Sequence, residues 1–207
     1  QTPQELVLQF EIAYAKAGGL EWFDKLRQRR RLTFRADSPA VRVENEILNT
    51  DAEPRSVLFD LFNGLGLGRV ETAACIPGPE GKIVGRDRAT EDSSTFIFAP
   101  EPAGDWIGGV NAEGQGAAFS LDWADVDSME ISLWKTVGAT YIVNMRRRTI
   151  PPGEAATFAY TFMPFVGLGA LDGMRDDLAG GLLVGAEASH LRDAPSRNLQ
   201  PGAAVPV

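Results

Sequence analysis

Polar and apolar residues alternate along much of this chain, and a period of two is the mark of a half-buried strand. Val41, Val43, Asn45 and Ile47 interleave with Arg42, Glu44 and Glu46, one dry face and one wet face, as in antiparallel sheets. Arg31 to Ala36 (RLTFRA) and Ala156 to Phe162 (ATFAYTF) follow the same rule. Turn chemistry punctuates the runs: Asp37-Ser38-Pro39, Asn49-Thr50-Asp51 with Pro54, and Pro151-Pro152-Gly153-Glu154. Ser56 to Phe62 (SVLFDLF) is more apolar and reads as a central strand. Ser94 to Phe98, Met129 to Trp134 and Thr140 to Met145 read as further strands. Trp106 to Val110 and Gly116 to Leu121 flank Asn111-Ala112-Glu113-Gly114, a strand, tight turn and strand. Pro77 to Gly85 reads as a loop. Roughly eight or nine strands with turns between them predict an antiparallel sandwich or barrel.

The two ends of the chain read differently. Leu6 to Ile12 is either a strand or the start of a helix, closed by Gly18-Gly19, and Leu20 to Leu26 is ambiguous. After Pro164, Gly, Leu and Ala dominate. Leu171 to Leu183 reads as a short helix or loop, and from His190 onward the polar, proline-bearing sequence reads as an extended tail. The expected division is an N-terminal segment over residues 1–19, a sandwich domain over 20–165 and a Gly/Ala-rich segment with its tail over 166–207.

Composition sharpens this picture in a few places. The chain has 22 glycines and 13 prolines in 207 residues, which suits many turns and short strands. A net charge of −8 repels phosphate backbones, so nucleic acid is not an expected partner. Two arginine runs stand against that balance: Arg27, Arg29, Arg30 and Arg31, and Arg146, Arg147 and Arg148. They read either as solvent-facing strand positions that discourage edge pairing or as a site for an anionic partner. One cysteine, Cys75, excludes an intramolecular disulfide. No apolar run reaches the roughly 18 residues of a membrane-spanning helix. The opening Gln1-Thr2-Pro3 reads either as a mature terminus left after signal removal or simply as where the chain begins, and an extracytoplasmic location is expected from the first reading and from the frequent export of sugar-binding sandwiches.

Candidate chemistry is sparse. His190 and Cys75 are far apart in sequence, so no metal is expected, and no cofactor. Gly64, Gly66 and Gly68 have GxGxG spacing with no helix pattern after them, which is a turn or bulge and not a nucleotide loop. No GxSxG elbow is present for a serine nucleophile. Glu91 and Asp92, with Asp87, Arg86 and Arg88, form either a polar pocket floor with an acid of raised pKa or a solvated loop. Asp105-Trp106, Asp122-Trp123 and Trp134-Lys135 each set an indole beside a charge. Sugar sites use such rings against a pyranose face, with polar groups on the hydroxyls. The plainer reading places each Trp in the core and each charge in water. The candidate ligand-binding set is therefore Trp106, Asp105, Trp123, Trp134, Arg86, Glu91 and Asp92.

Three stretches carry a family resemblance. Arg29 to Pro54 (RRRLTFRADSPAVRVENEILNTDAEP) is similar to the strand, turn and strand element of galactose-mutarotase-like β-supersandwich domains. Trp106 to Phe119 (WIGGVNAEGQGAAF) is similar to their segment of Trp, hairpin and glycine-led strand. Thr149 to Phe162 (TIPPGEAATFAYTF) is similar to their late strand pair with its Pro-Gly-Glu turn. The resemblance covers Leu20 to Phe165 and implies a supersandwich fold and a carbohydrate ligand. Epimerases of this family use a histidine acid and a glutamate base. Here His190, the one histidine, lies outside the matching region, so no residue carries that acid role across. The expected function is a non-catalytic carbohydrate-binding or accessory module. The alternatives are a structural subunit docking on a larger protein assembly, membrane-associated or not, through its C-terminal tail, and a carboxylate-dependent sugar lyase or hydrolase.

Overall fold

The computed structural model describes residues 4–15, 21–65, 72–78, 81–86, 95–99, 104–134, 138–175, 178–184 and 189–195. They form β1 (Glu5–Ala13), β2 (Leu26–Arg35), β3 (Val41–Asn49), β4 (Arg55–Val57), β5 (Asp60–Leu65) and β6 (Thr72–Gly78). Next come β7 (Gly81–Arg86), β8 (Thr95–Ala99), β9 (Trp106–Asn111), β10 (Gln115–Leu121), β11 (Val126–Trp134) and β12 (Gly138–Met145). The series closes with β13 (Arg148–Ile150), β14 (Ala155–Val166), β15 (Gly173–Arg175), β16 (Leu178–Val184) and β17 (Ser189–Pro195). Short 3-10 turns span Glu21–Lys25 and Trp123–Asp125. No described helix is long and apolar enough to cross a membrane.

An eight-stranded antiparallel sheet runs β1-β2-β3-β14-β10-β9-β6-β7. A four-stranded sheet runs β5-β12-β11-β8, and a two-stranded pair joins β13 to β4. The larger core cluster joins the sheets: Val43, Ile47, Ile107, Phe119, Phe158 and Tyr160 come from the large sheet, and Leu61, Met129, Ile131, Tyr141 and Val143 from the smaller one. Burying two apolar faces against each other is what makes a sandwich, and the alternation of β3 and β14 supplies one of those faces directly. The fold is thus the all-β antiparallel sandwich that the patterning predicts.

A third, three-stranded sheet (β15-β16-β17) backs the opposite face of β9, β10 and β14. Its Met174 and Ala179, with Leu168 and Leu171, share a second core cluster with Cys75, Trp106, Val110, Ala118, Met163 and Phe165. This corrects the helix or loop expected over Leu171–Leu183. Glycine is a poor helix former, and here it serves close packing: a Cβ on Gly181 would stand 2.0 Å from the Ala170 carbonyl oxygen. The segment expected as an extended tail begins with β17, paired along its length to β16; residues 196–207 lie outside the described ones.

Other readings change in detail. The N-terminal segment is strand β1, and residues 16–20 lie outside the described ones. Pro77 to Gly85 holds the β6–β7 hairpin and not a loop. Its proline is tolerated because β9 pairs with β6 only as far as Cys75, so Pro77 has a strand neighbour on one side alone. Ser56–Phe62 is two strands, and β5 is an edge of its sheet and not its centre. Its strongly apolar pattern arises because Leu61 enters the core while Phe62 faces an open cleft.

Candidate functional site

Antiparallel register sets side chains of the large sheet in rows across its inner face. One row reads Phe34, Val41, Phe162 and Phe119. The next reads Leu32, Val43, Tyr160 and Leu121, and the next Arg30, Asn45 and Phe158. The smaller sheet ends at β5, so the first two rows run out beyond its edge. Between that edge and the sheet lies an open cleft of about 440 Å³, lined by Leu32, Phe34, Val41, Val43, Phe62, Asn63, Gly64, Phe119, Tyr160 and Phe162.

Aromatic rings dominate the walls. Phe119 lies 5.2 Å from Phe162 and 6.1 Å from Tyr160, centroid to centroid, both tilted. Phe62 is 68% exposed at the rim. One polar contact crosses the cleft, where the Tyr160 hydroxyl donates to Asn63 Oδ1 at 3.3 Å. The Arg30 row borders the cleft: Arg30 Nε donates to Asn45 Oδ1 at 2.7 Å, and Gln28 Nε2 donates to the same oxygen at 3.1 Å. The Tyr14 hydroxyl donates to Gln28 Oε1 at 2.5 Å. Two donors on one oxygen fix the orientation of the fully buried Asn45 amide, and its Nδ2 has no partner among the described residues. Burial raises the pKa of both Tyr14 and Tyr160, and the positive charge of Arg30 opposes that rise, so both hydroxyls stay neutral donors. Among the described residues, no carboxylate pairs with Arg30, and those lining the cleft include no carboxylate or imidazole.

A second concavity of about 210 Å³ opens at the other end of the same face, between Tyr14, Trp22, Phe23, Leu26, Ile47 and the β4–β5 segment. Arg55 lies over the Trp22 ring at 5.6 Å.

The residues expected from sequence are not gathered into this cleft. Trp106 is 8% exposed and packs in the second core cluster, on the opposite face of the sheet. Asp105 is exposed beside it, its carbonyl accepting from the Leu121 N–H at 3.0 Å. Trp123 is half-buried against the larger cluster, in a 3-10 turn capped by Asp122, which accepts from the Ala124 N–H at 3.0 Å. Trp134 ends β11 opposite Gly138, and Arg86 ends β7 opposite Ala73. Glu91 and Asp92 lie outside the described residues. The first arginine run splits by alternation: Arg29 faces outward and pairs with Glu46 at 2.8 Å, whereas Arg30 turns inward. In the second run Arg148 pairs with Asp125 and lies 5.0 Å over the Phe158 ring, and Arg146 Nε donates to the Val126 carbonyl at 3.0 Å.

Sequence reasoning missed Phe62, Asn63, Tyr160, Phe162, Arg30 and Asn45 as a group. One signal was visible: alternation predicts Tyr160 and Phe162 on one face, and Arg30 sits out of phase with its arginine neighbours. Which strands lie side by side is not written in any local pattern.

No protein-family model matches the sequence, and no curated protein matches it. Solved structures do match in fold. A candidate aldose 1-epimerase of Klebsiella pneumoniae superposes with a TM-score of 0.56 at 13% identity, covering 79% of this chain and 52% of that one. A protein of a Synechocystis species superposes with a TM-score of 0.51 at 8% identity, covering 79% of this chain and 62% of that one. The chain thus spans between half and two thirds of the length of these structures. The architecture implied by the three sequence stretches is therefore the one observed: the chain has a galactose-mutarotase-like sandwich fold.

Proposed function

We infer that the protein binds a carbohydrate in the cleft between β5 and the large sheet, and that it acts there as a binding module. The observation that carries this reading is the cleft itself. It is open, about 440 Å³ in volume and walled by Phe62, Phe119, Tyr160 and Phe162. Pyranose rings present apolar C–H faces that pack on such walls, while the Asn63 amide and the Tyr160 hydroxyl offer donors and acceptors to hydroxyls. The fold supports the ligand class, since it is shared with a candidate aldose 1-epimerase. The described lining includes no carboxylate or imidazole, and its one titratable side chain, Tyr160, is held neutral by burial.

A glycan array followed by calorimetry on the best binder tests the reading. Phe62→Ala is expected to lower affinity by about tenfold or more, the order set by losing one aromatic contact of about 1.5 kcal/mol. Phe62 is largely exposed, so its circular dichroism is expected to match the parent's. Retention of no glycan, or an affinity unmoved by Phe62→Ala, would exclude this cleft as the site.

A further inference from the structure

Strand β1 is amphipathic, yet its apolar side packs under nothing among the described residues. Leu6, Leu8, Phe10 and Ile12 stand opposite Phe34, Leu32, Arg30 and Gln28 of β2, and so extend the inner face of the large sheet. They are 59%, 40%, 49% and 40% exposed. The smaller sheet ends at β5, whose Asn63 meets Tyr160 of β14, three strands in from the β1 edge.

Among the described residues β1 is also a terminal strand of the large sheet, paired on one side only. The Gln4 carbonyl accepts from the Ala36 N–H at 3.0 Å, and the same register continues along β1 and β2. Hydrogen-bonded pairs alternate in an antiparallel ladder, so even-numbered residues of β1 bond to β2. Odd-numbered ones, Glu5, Val7, Gln9, Glu11 and Ala13, point their N–H and C=O groups outward. The strand runs nine residues without a register break, and it holds no Pro, Gly or Lys. Short length, Pro, bulges and charges, Lys above all, are the usual devices that blunt an edge, and of these β1 has only Glu5 and Glu11. The opposite edge, β7, has six residues and carries Gly81, Lys82 and Gly85.

We propose that β1 pairs antiparallel with β1 of a second copy, across a twofold axis at Gln9. Strand length and charge together select the register. With Gln9 opposite itself, all nine residues pair: Glu5 with Ala13, Leu6 with Ile12, Val7 with Glu11 and Leu8 with Phe10. Apolar positions meet apolar positions on the inner face, and no acid faces an acid. Centring the axis on Leu8 instead sets Glu5 against Glu11, a like-charge pair directly across strands, which is destabilising. A self-complementary strand of this kind fits the isologous contact of a twofold dimer. Joining the two sheets sets the exposed rows of both copies side by side and closes both edges.

Size-exclusion chromatography with light scattering over a concentration series is the first test, and the parent chain is expected at twice its monomer mass. Gln9→Pro removes an N–H that points away from β2, so it leaves the internal ladder whole and is expected to give a monomer. Gln9→Cys is expected to form a disulfide-linked dimer under mild oxidation, because hydrogen-bonded partners lie about 5.5 Å apart at Cα, within disulfide reach. Glu5→Cys, which faces Ala13 of the other copy, is expected to stay unlinked; Cys75 is buried and does not compete. A parent that stays monomeric across the series, a dimer that survives Gln9→Pro, or a Gln9→Cys chain that does not cross-link overturns the proposal. The first of these results would leave the apolar row to a different polypeptide.

Discussion

Asn49 shows how much one side chain settles. It is fully buried at the end of β3. Its amide donates to the Glu53 carbonyl at 2.8 Å and to the Ile150 carbonyl at 2.9 Å, and its Oδ1 accepts from the Asp51 N–H at 2.9 Å. The turn signal Asn-Thr-Asp was legible, because such residues bond to their own backbone. The bond to Ile150, 101 positions away, was not. Beside it Asp51 accepts from the Arg55 guanidinium, and this hydrogen bond, chiefly, holds its carboxyl below the ordinary value of about 3.9. A lowered folded-state pKa stabilises the fold above the unfolded value and loses that contribution as pH falls through the folded one. Asp51→Asn is therefore expected to lower the melting temperature at about pH 7 and to match the parent more closely near pH 2. A deficit of equal size at both pH values in thermal melts would contradict the assignment. Arg30 makes the parallel point for the site. Alternation places it opposite in phase to Arg29 and Arg31, but its Asn45 partner follows only from the β2–β3 register.

At the level of elements, two glycines of the large sheet mark where the second core cluster is tightest. A Cβ on Gly116 would stand 2.3 Å from the Phe165 ring and 2.4 Å from the Gly109 carbonyl oxygen. One on Gly108 would stand 2.5 Å from both the Ala117 carbonyl oxygen and Leu171 Cδ2. Gly116→Ala is accordingly expected to destabilise by roughly 1–3 kcal/mol, the order for overpacking a filled core, as read from urea denaturation. A neutral result would mean that Phe165 repacks freely. The turn between β9 and β10 was readable from Asn111-Ala112-Glu113-Gly114. Gly114 adopts φ +76°, and Asn111 Oδ1 accepts from the Glu113 and Gln115 N–H groups. The split of Ser56–Phe62 into β4 and β5 was not readable. The run is mostly apolar, with no turn signal inside it, and its two destinations, the β13 partner and the sandwich edge, divide it.

The molecule as a whole is held by pairings between distant parts of the chain. β14 lies between β3 and β10, and β5 pairs with β12. Loop closure must precede most of the stabilising contacts, so refolding is expected in milliseconds to seconds or slower, and stopped-flow tryptophan fluorescence measures it. Refolding complete within microseconds would contradict this topology as the source of the barrier. Local patterning shows that the chain is β-rich, where many strands turn, and which face of β2, β3 and β14 is dry. Those are local properties, set by side-chain alternation and by the backbone preferences of Gly, Pro, Asn and Asp. Which strands are neighbours emerges from the packing of the fold and from no local pattern. That choice moved Trp106 into a core and brought Phe62, Tyr160 and Phe162 to a cleft. It also left the apolar row of β1 at an open edge. The reason is physical: a dry face must be covered by some other face, and partner and register are chosen by the packing of the whole set of strands.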